Sequence, residues 1–464
     1  MATERFEHAM SDSDALMWHI ERDPQLRSTI VTVLVLDHTP DWDRVLERLA
    51  RGTRLIPRMR QRVVEPAIRI GPPAWSSDPD FDLSYHARRV RVPAPGSFND
   101  VLDIAGTAAM TGFDRARPLW EYTLVEGLED GRAAFVLKVH HSMTDGVGGM
   151  RLLLMLFDLE RDPALGSPDP DAESLPEFSP RGMIGASLEW QARRASDAAH
   201  HAVDVARSVW QQVRDDAGQA FVEATRAVGS VARFLAPASE PLSPVTAERS
   251  LDRRLTTFSV PLDDLKRAAN AAGGTLNDAF VAGIIGGMRR YHDRHDVEID
   301  DLRMVMPINL RGADMGLGGN HFTPARLLVP LGIDDVGERV RVIGDLARKL
   351  RAEPAVALSA SVAGLLNRLP RRVATALFGG MLKGTDFVTS NVPGSPFPLY
   401  LCGAEVQELY AFGPLSGGAA NITLVSHCGV CCIGINSDAK AIPDTRKFTK
   451  AMRKGLKEVV ALGS

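Results

Sequence analysis

The strongest constraint on this chain is a change of pattern between residues 133 and 159. Ala133-Ala134-Phe135-Val136-Leu137-Lys138-Val139 is a nearly unbroken apolar run of strand-forming residues that stops at His140-His141. Asp145-Gly146 then supplies a turn, and Gly148–Leu159 carries apolar Met150, Leu153, Leu154 and Phe157 at helical spacing. A buried strand that turns into an amphipathic helix belongs to an α/β fold, and such junctions commonly carry reactive groups.

Adjacent residues of an extended strand point to opposite faces, so only one of the two histidines can face a given pocket. The pair is therefore not a two-histidine ligand set. Asp145 follows a tight turn from which its carboxylate can fold back, and Gly146 fits a position needing positive φ or close backbone approach. An imidazole suits proton abstraction from an alcohol near neutral pH. Most buried histidines are hydrogen-bonded core residues, and the chain contains its own control. His200-His201 is also a His-His pair, but it has no following Asp-Gly and lies in a helical stretch. The full His-His-x-x-x-Asp-Gly pattern arises by chance on the order of once in a thousand chains of this length, from average residue frequencies.

Elsewhere the 464 residues divide into three zones. Residues 1–160 alternate helix-like and strand-like patterns: Thr29–Leu36 reads as a buried strand, and Asp43–Arg51 as a helix with Val45, Leu46 and Leu49 on one side. Residues 161–250 form a connector. It opens with the proline-rich Arg161–Pro180 and continues as the proline-free Met183–Leu235, whose Ala202, Ala206, Val209, Val213 and Ala217 make one helical stripe. That stripe suits a helix packed on the body, or one lying on a lipid surface. Residues 251–464 resume the α/β alternation. Two similar halves joined by a helical connector is the simplest architecture.

The balance of 54 basic against 58 acidic residues, for a net charge of −4, argues against a nucleic-acid partner. The N-terminus lacks the apolar core of a secretory signal, and no apolar stretch reaches the roughly 20 residues needed to span a bilayer. A cytoplasmic protein is expected, with room for peripheral contact at a membrane or lipid-droplet surface. Of the four cysteines, Cys428, Cys431 and Cys432 sit beside His427. No second half-site exists for a zinc, so no metal is expected and the thiols read as reduced and packed in a buried strand.

Taken together, these elements resemble the bacterial wax ester synthase/diacylglycerol acyltransferase family over nearly the whole chain. His140 to Gly146 matches its signature, and Arg117-Pro118-Leu119-Trp120-Glu121 looks like its Pro-Leu-Trp element. Leu276-Asn277-Asp278 is similar to an Asn-Asp element opening a helix, Ala279–Tyr291, and Ser390-Asn391-Val392-Pro393-Gly394 to a Ser-Asn-Val-Pro-Gly element. Ser11–Ala15 and Trp75–Leu83 are similar to further landmarks. The chain departs from the pattern at Ser395, between glycine and Pro396, and at Ser426-His427-Cys428-Gly429.

The resemblance implies two chloramphenicol-acetyltransferase-like halves with a tunnel at their interface. It selects His141 as the catalytic base, with His140 beside it, and implies that Asp145 organises the loop by pairing with an arginine. It also implies that Pro118, Leu119 and Trp120 serve a pocket or packing role, and that Asn277 and Asp278 support the site from the other half. Ser390, Asn391 and Gly146 complete the set of binding or supporting residues. The plainer alternatives are core packing for Trp120 and a helix N-cap for Asn277. The implied reaction moves an acyl group from acyl-CoA, a substrate rather than a cofactor, to a lipid alcohol without a covalent acyl-enzyme. Asn277 or a backbone N–H after Asp145 are the candidate oxyanion donors. Two rivals stand beside it: condensation-type enzymes using carrier-protein thioesters, and a non-catalytic lipid-binding protein.

Overall fold

The computed structural model describes residues 8–68, 71–163, 175–193, 240–309, 322–353 and 369–463, with a few isolated positions between them. The first half contributes β1 (Thr29–Leu36), β2 (Gln61–Val64), β3 (Ala74–Ser77), β4 (Ala87–Arg91), β5 (Trp120–Glu126) and β6 (Ala133–His140). The second contributes β7 (Arg253–Pro261), β8 (Asp301–Asn309), β9 (Phe322–Pro330), β10 (Phe387–Val392), β11 (Tyr400–Leu401), β12 (Ala404–Phe412), β13 (Ala420–His427) and β14 (Val430–Asp438). The class is α/β as expected, built on two six-stranded mixed sheets and a small β2–β3 ribbon.

The first sheet runs β11-β12-β1-β6-β5-β4, so two of its strands come from the second half of the chain. β12 pairs antiparallel with β1 from Val31↔Phe412 to Val35↔Glu408, and β1 pairs antiparallel with β6 from Thr29↔His140 to Leu36↔Ala133. The second sheet runs β7-β14-β13-β10-β8-β9. Two-residue turns close the β11–β12 and β13–β14 hairpins at Cys402-Gly403 and Cys428-Gly429. Both residues of each have positive φ, the twist that suits a tight hairpin.

One apolar core lies under each sheet, with a third between them. The third gathers Val31, Val33 and Val136 of the first sheet with Tyr410, Phe412, Leu255 and Cys432, and packs against Val101, Leu102 and Ala105 of the helix Phe98–Met110. Where β14 meets β12 it carries Gly434, and a Cβ there would lie 2.3 Å from the Ala411 carbonyl oxygen.

Local expectations met the structure unevenly. Thr29–Leu36 is a strand over its full expected length, and the helix around Asp43–Arg51 runs Trp42–Leu55 with Val45 and Leu49 buried. Cys431 and Cys432 are buried on opposite faces of β14, one in the second-half core and one between the sheets. Burial pushes their thiols up to about 12 and about 11, which keeps both protonated at neutral pH. Cys428 is the exception to the buried-strand reading, because it occupies the exposed hairpin turn. Of the expected connector helix, residues 183–193 are helical, while most of Met183–Leu235, His200-His201 included, lies outside the described residues. No helix among the described residues is long and apolar enough to cross a membrane.

Phe412 is 1% exposed at the junction of β12 with the inter-sheet core. Phe412→Ala is expected to cost about 3–5 kcal/mol in urea unfolding, the usual price of a large core truncation, although the residue touches only the seam.

Candidate active site

β6 delivers its side chains alternately to two environments. Leu137, Val139 and His141 face a cavity between the sheets, while Lys138 and His140 face the other way. Lys138 Nζ reaches Glu121 Oε1 at 3.0 Å and Thr111 Oγ1 at 3.1 Å. Burial pulls the lysine below its ordinary value, and Glu121 opposes that shift.

His140 is fully buried, with Trp18 and Phe113 edge-on to its ring. Its Nδ1 accepts the Ser142 N–H at 3.1 Å, which leaves the ring proton on Nε2, 3.0 Å from Glu21 Oε2. Burial works against the Glu21 carboxylate, but His140, Arg115 and Arg27 outweigh it and hold the group below its usual 4.5. The His140 backbone N–H donates to the Leu119 carbonyl and that of His141 to the Ser28 carbonyl, at 3.0 and 2.8 Å. His140 therefore holds the turn from behind, and Glu21 was its unforeseen partner. No local pattern in the sequence joins residues so far apart.

His141 is half-buried and lines a cavity of about 220 Å³. The first sheet supplies Ile30, Thr32, Leu409 and Ala411, and the second supplies Val388, Ser390, Val392, Thr423 and Val425. Met150 and Leu153 close one side from the helix Gly146–Leu156, and Phe378 and Leu382 another from the helix Arg371–Leu382. A mostly apolar space with a few converging polar groups suits a long hydrocarbon chain. Among the described residues no group of three or more His, Cys, Asp or Glu is placed to hold a metal.

Asp145 also lines the cavity and caps the helix, its Oδ1 accepting the Gly148 N–H at 2.8 Å. The cap explains why the helix starts at Gly146, two residues before the apolar spacing suggests, and ends at Leu156 with Leu154 exposed. Gly146 is required by close approach rather than by φ: a Cβ there would lie 2.8 Å from Val392 Cγ2. The signature loop and the Ser-Asn-Val-Pro-Gly element thus meet across the seam, and Ser390 and Asn391 line the same cavity.

Other expected residues lie elsewhere. Pro118, Leu119 and Trp120 are buried but do not line the cavity. Trp120 stacks on His86 with ring centroids 4.3 Å apart, and its indole donates to the Met59 carbonyl at 2.7 Å. Its role is packing, with Leu119 anchoring the His140 backbone. Asn277 is not the helix N-cap. Thr275 is, in a reciprocal capping box with Asp278, and neither Asn277 nor Asp278 lines the cavity. Ser395, Pro396, His427 and Cys428 also stay out of it. Gly394 sits so close to β13 that a Cβ would fall 1.8 Å from the Ser426 carbonyl oxygen, and His427 Nε2 lies 3.0 Å from the Val406 carbonyl oxygen of β12.

Comparison with known proteins follows the same outline. A profile of the wax ester synthase/diacylglycerol acyltransferase catalytic domain matches residues 10–280, and one of the WS/DGAT C-terminal domain matches residues 318–459. A Mycobacterium tuberculosis protein carrying the provisional name diacylglycerol O-acyltransferase is 37% identical over 99% of this chain and 93% of its own length. Another so named from that organism is 28% identical over 97% of this chain and 96% of its own. Among solved structures, the wax ester synthase/diacylglycerol acyltransferase of Marinobacter aquaeolei VT8 superposes with a TM-score of 0.61 at 22% identity, covering 97% of this chain and 98% of that one. The first condensation domain of the calcium-dependent antibiotic synthetase superposes with a TM-score of 0.58 at 14% identity, covering 99% and 97%. At such identities the likeness is one of fold.

Two expectations follow from the geometry. Asp145→Ala removes the cap and should lower stability by about 1 kcal/mol, whereas Asp145→Asn keeps a capping oxygen and should lose less, as read from melting temperatures. For Glu21 the lowered carboxyl value means that its stabilisation is fully present above about pH 4.5 and is lost as pH falls through the folded-state value. Glu21→Gln should therefore destabilise by about 2 kcal/mol at neutral pH, with the gap in urea midpoint narrowing as pH falls through the lowered carboxyl value.

Proposed function

The chain belongs to the wax ester synthase/diacylglycerol acyltransferase family, and from that premise we propose that it transfers an acyl group from acyl-CoA to a lipid alcohol inside the inter-sheet cavity, with His141 as general base. The observation that carries this reading is the placement of one imidazole, at the end of β6, against a largely apolar space lined by both halves. The hydroxyl of the alcohol loses its proton to His141 while its oxygen attacks the thioester carbonyl. The tetrahedral oxyanion then collapses, the carbon–sulfur bond breaks, and the departing thiolate takes the proton from the imidazolium to leave free CoA thiol.

The oxyanion needs donors within reach. Asn277 does not line the cavity, so the backbone N–H of Gly146, at the N-terminal end of its helix, and the Asn391 side chain are the better candidates. The apolar lining favours a long acyl chain and an apolar alcohol. Diacylglycerol is the first choice of acceptor, following the names of the Mycobacterium tuberculosis relatives, with long-chain fatty alcohols next. The aqueous phase of the cell, with contact at a membrane or lipid-droplet surface, is the proposed site of action. Residues 1–160, 161–250 and 251–464 are the proposed divisions of the chain, although β11 and β12 join the first sheet.

The test is release of CoA thiol from palmitoyl-CoA in the presence of diacylglycerols, monoacylglycerols and long-chain alcohols. His141→Ala is expected to lower turnover at least about a hundredfold with the fold intact. Retention of more than about a tenth of the wild-type rate would remove His141 from the general-base role. Activity with a carrier-protein thioester but none with free acyl-CoA would favour the condensation-type alternative.

A further inference from the structure

The helix Thr445–Val460 carries Arg446, Lys447, Lys450, Arg453, Lys454 and Lys457 against a single acid, Glu458, in a chain whose net charge is −4. Its apolar residues Phe448, Met452, Leu456 and Val459 are spent in the second-half core. Arg446, Lys450, Arg453, Lys454 and Lys457 remain along one exposed side, stepping by four, three, one and three. Lys447 pairs with Asp444 and Glu458 with Arg290, but among the described residues none of these five forms an ion pair.

They do not face open solvent as a flat patch. They form one wall of a cleft of about 510 Å³, whose opposite wall is Phe98, Asn99 and Leu102 of the helix Phe98–Met110 and whose strand side is Thr256 and Thr257 of β7. The cleft therefore lies between the halves. It also lies on the far side of the first sheet from His141. Leu409 and Ala411 of β12 face the cavity, whereas Tyr410 and Phe412 pack toward Leu102 in the inter-sheet core. A ligand held there does not meet the reacting groups.

We propose that this cleft is a second, non-catalytic site for a soluble phosphate-bearing anion that bridges the two halves. Five like charges converging without acidic partners repel one another, and a multiply charged anion relieves that repulsion better than any neutral ligand. The concave shape selects a compact ligand over a bilayer, because a planar surface does not reach the strand side of a cleft. Phe98 and Leu102 give an apolar contact for the rest of such a molecule, as a nucleotide base would need.

The inference stands apart from the acyl-transfer reading and is tested without measuring turnover. Titration calorimetry of the full-length chain with inorganic pyrophosphate and with adenosine 3′,5′-bisphosphate is expected to show binding that weakens steeply with salt. The variant Lys450→Ala, Arg453→Ala, Lys454→Ala changes only exposed side chains and should weaken that binding at least about tenfold while leaving the melting temperature without ligand unchanged. A thermal shift with pyrophosphate in the wild type and none in the variant is the second expected result. Absence of binding by both probes, or binding unchanged in the variant, would overturn the proposal. So would flotation with phosphatidylglycerol vesicles in the absence of soluble-probe binding, which would make the same charges a membrane-facing surface.

Discussion

Side-chain alternation along β6 governs the rest of the site. Strand pleating sends Leu137, Val139 and His141 toward the cavity and Lys138 and His140 away from it, so one register decides which of these groups meets the cavity. The register is held from both sides. The strand cannot slip when Lys138 is tied to Glu121, His140 sits against Glu21, and the backbone N–H groups of both histidines are bonded to Leu119 and Ser28. A one-residue slip would exchange the two histidines and turn the Lys138 ammonium into the hydrocarbon space.

The second requirement is a close seam. Glycine recurs where the halves or their strands touch: Gly146 against Val392, Gly394 against the Ser426 carbonyl, Gly434 against the Ala411 carbonyl. Each contact lets a backbone approach where a Cβ would force it away. Beside these contacts, apolar side chains from both sheets line the cavity.

Much of this was legible in the letters, and the limits have physical causes. Unbroken runs of apolar, strand-forming residues identify β1 and β6, and strand alternation limits the pocket to one histidine, because both are local properties of the chain. The choice of His141 rested on resemblance, since alternation alone does not say which of the two histidines faces the pocket. Start points were less legible. The apolar spacing after Gly146 gives no sign that Asp145 caps the helix, and Thr275 rather than Asn277 caps the helix at Leu276–Asp293 because the reciprocal bond needs Asp278 three residues on. Trp120 looked equally suited to pocket or core, and its partner His86 is set by tertiary packing. Nothing local marks Glu21 as the partner of His140, or Ala404–Phe412 as a strand of the first sheet, since both pairings join residues far apart in sequence.

The pairing of β12 with β1 has a consequence for how the molecule is made. A ribosome delivers the chain from the N-terminus, so β1 emerges early and β6 can cover one of its edges as soon as residue 140 is free. Its other edge has no partner until Phe412 has been translated. Between the emergence of β6 and that of β12, then, Thr29–Leu36 presents an open, strongly apolar strand edge, the kind that invites pairing with the wrong chain. The nascent first half therefore needs protection until its partner strand arrives. The cavity around His141 is not complete until β13 has followed, since Thr423 and Val425 line it.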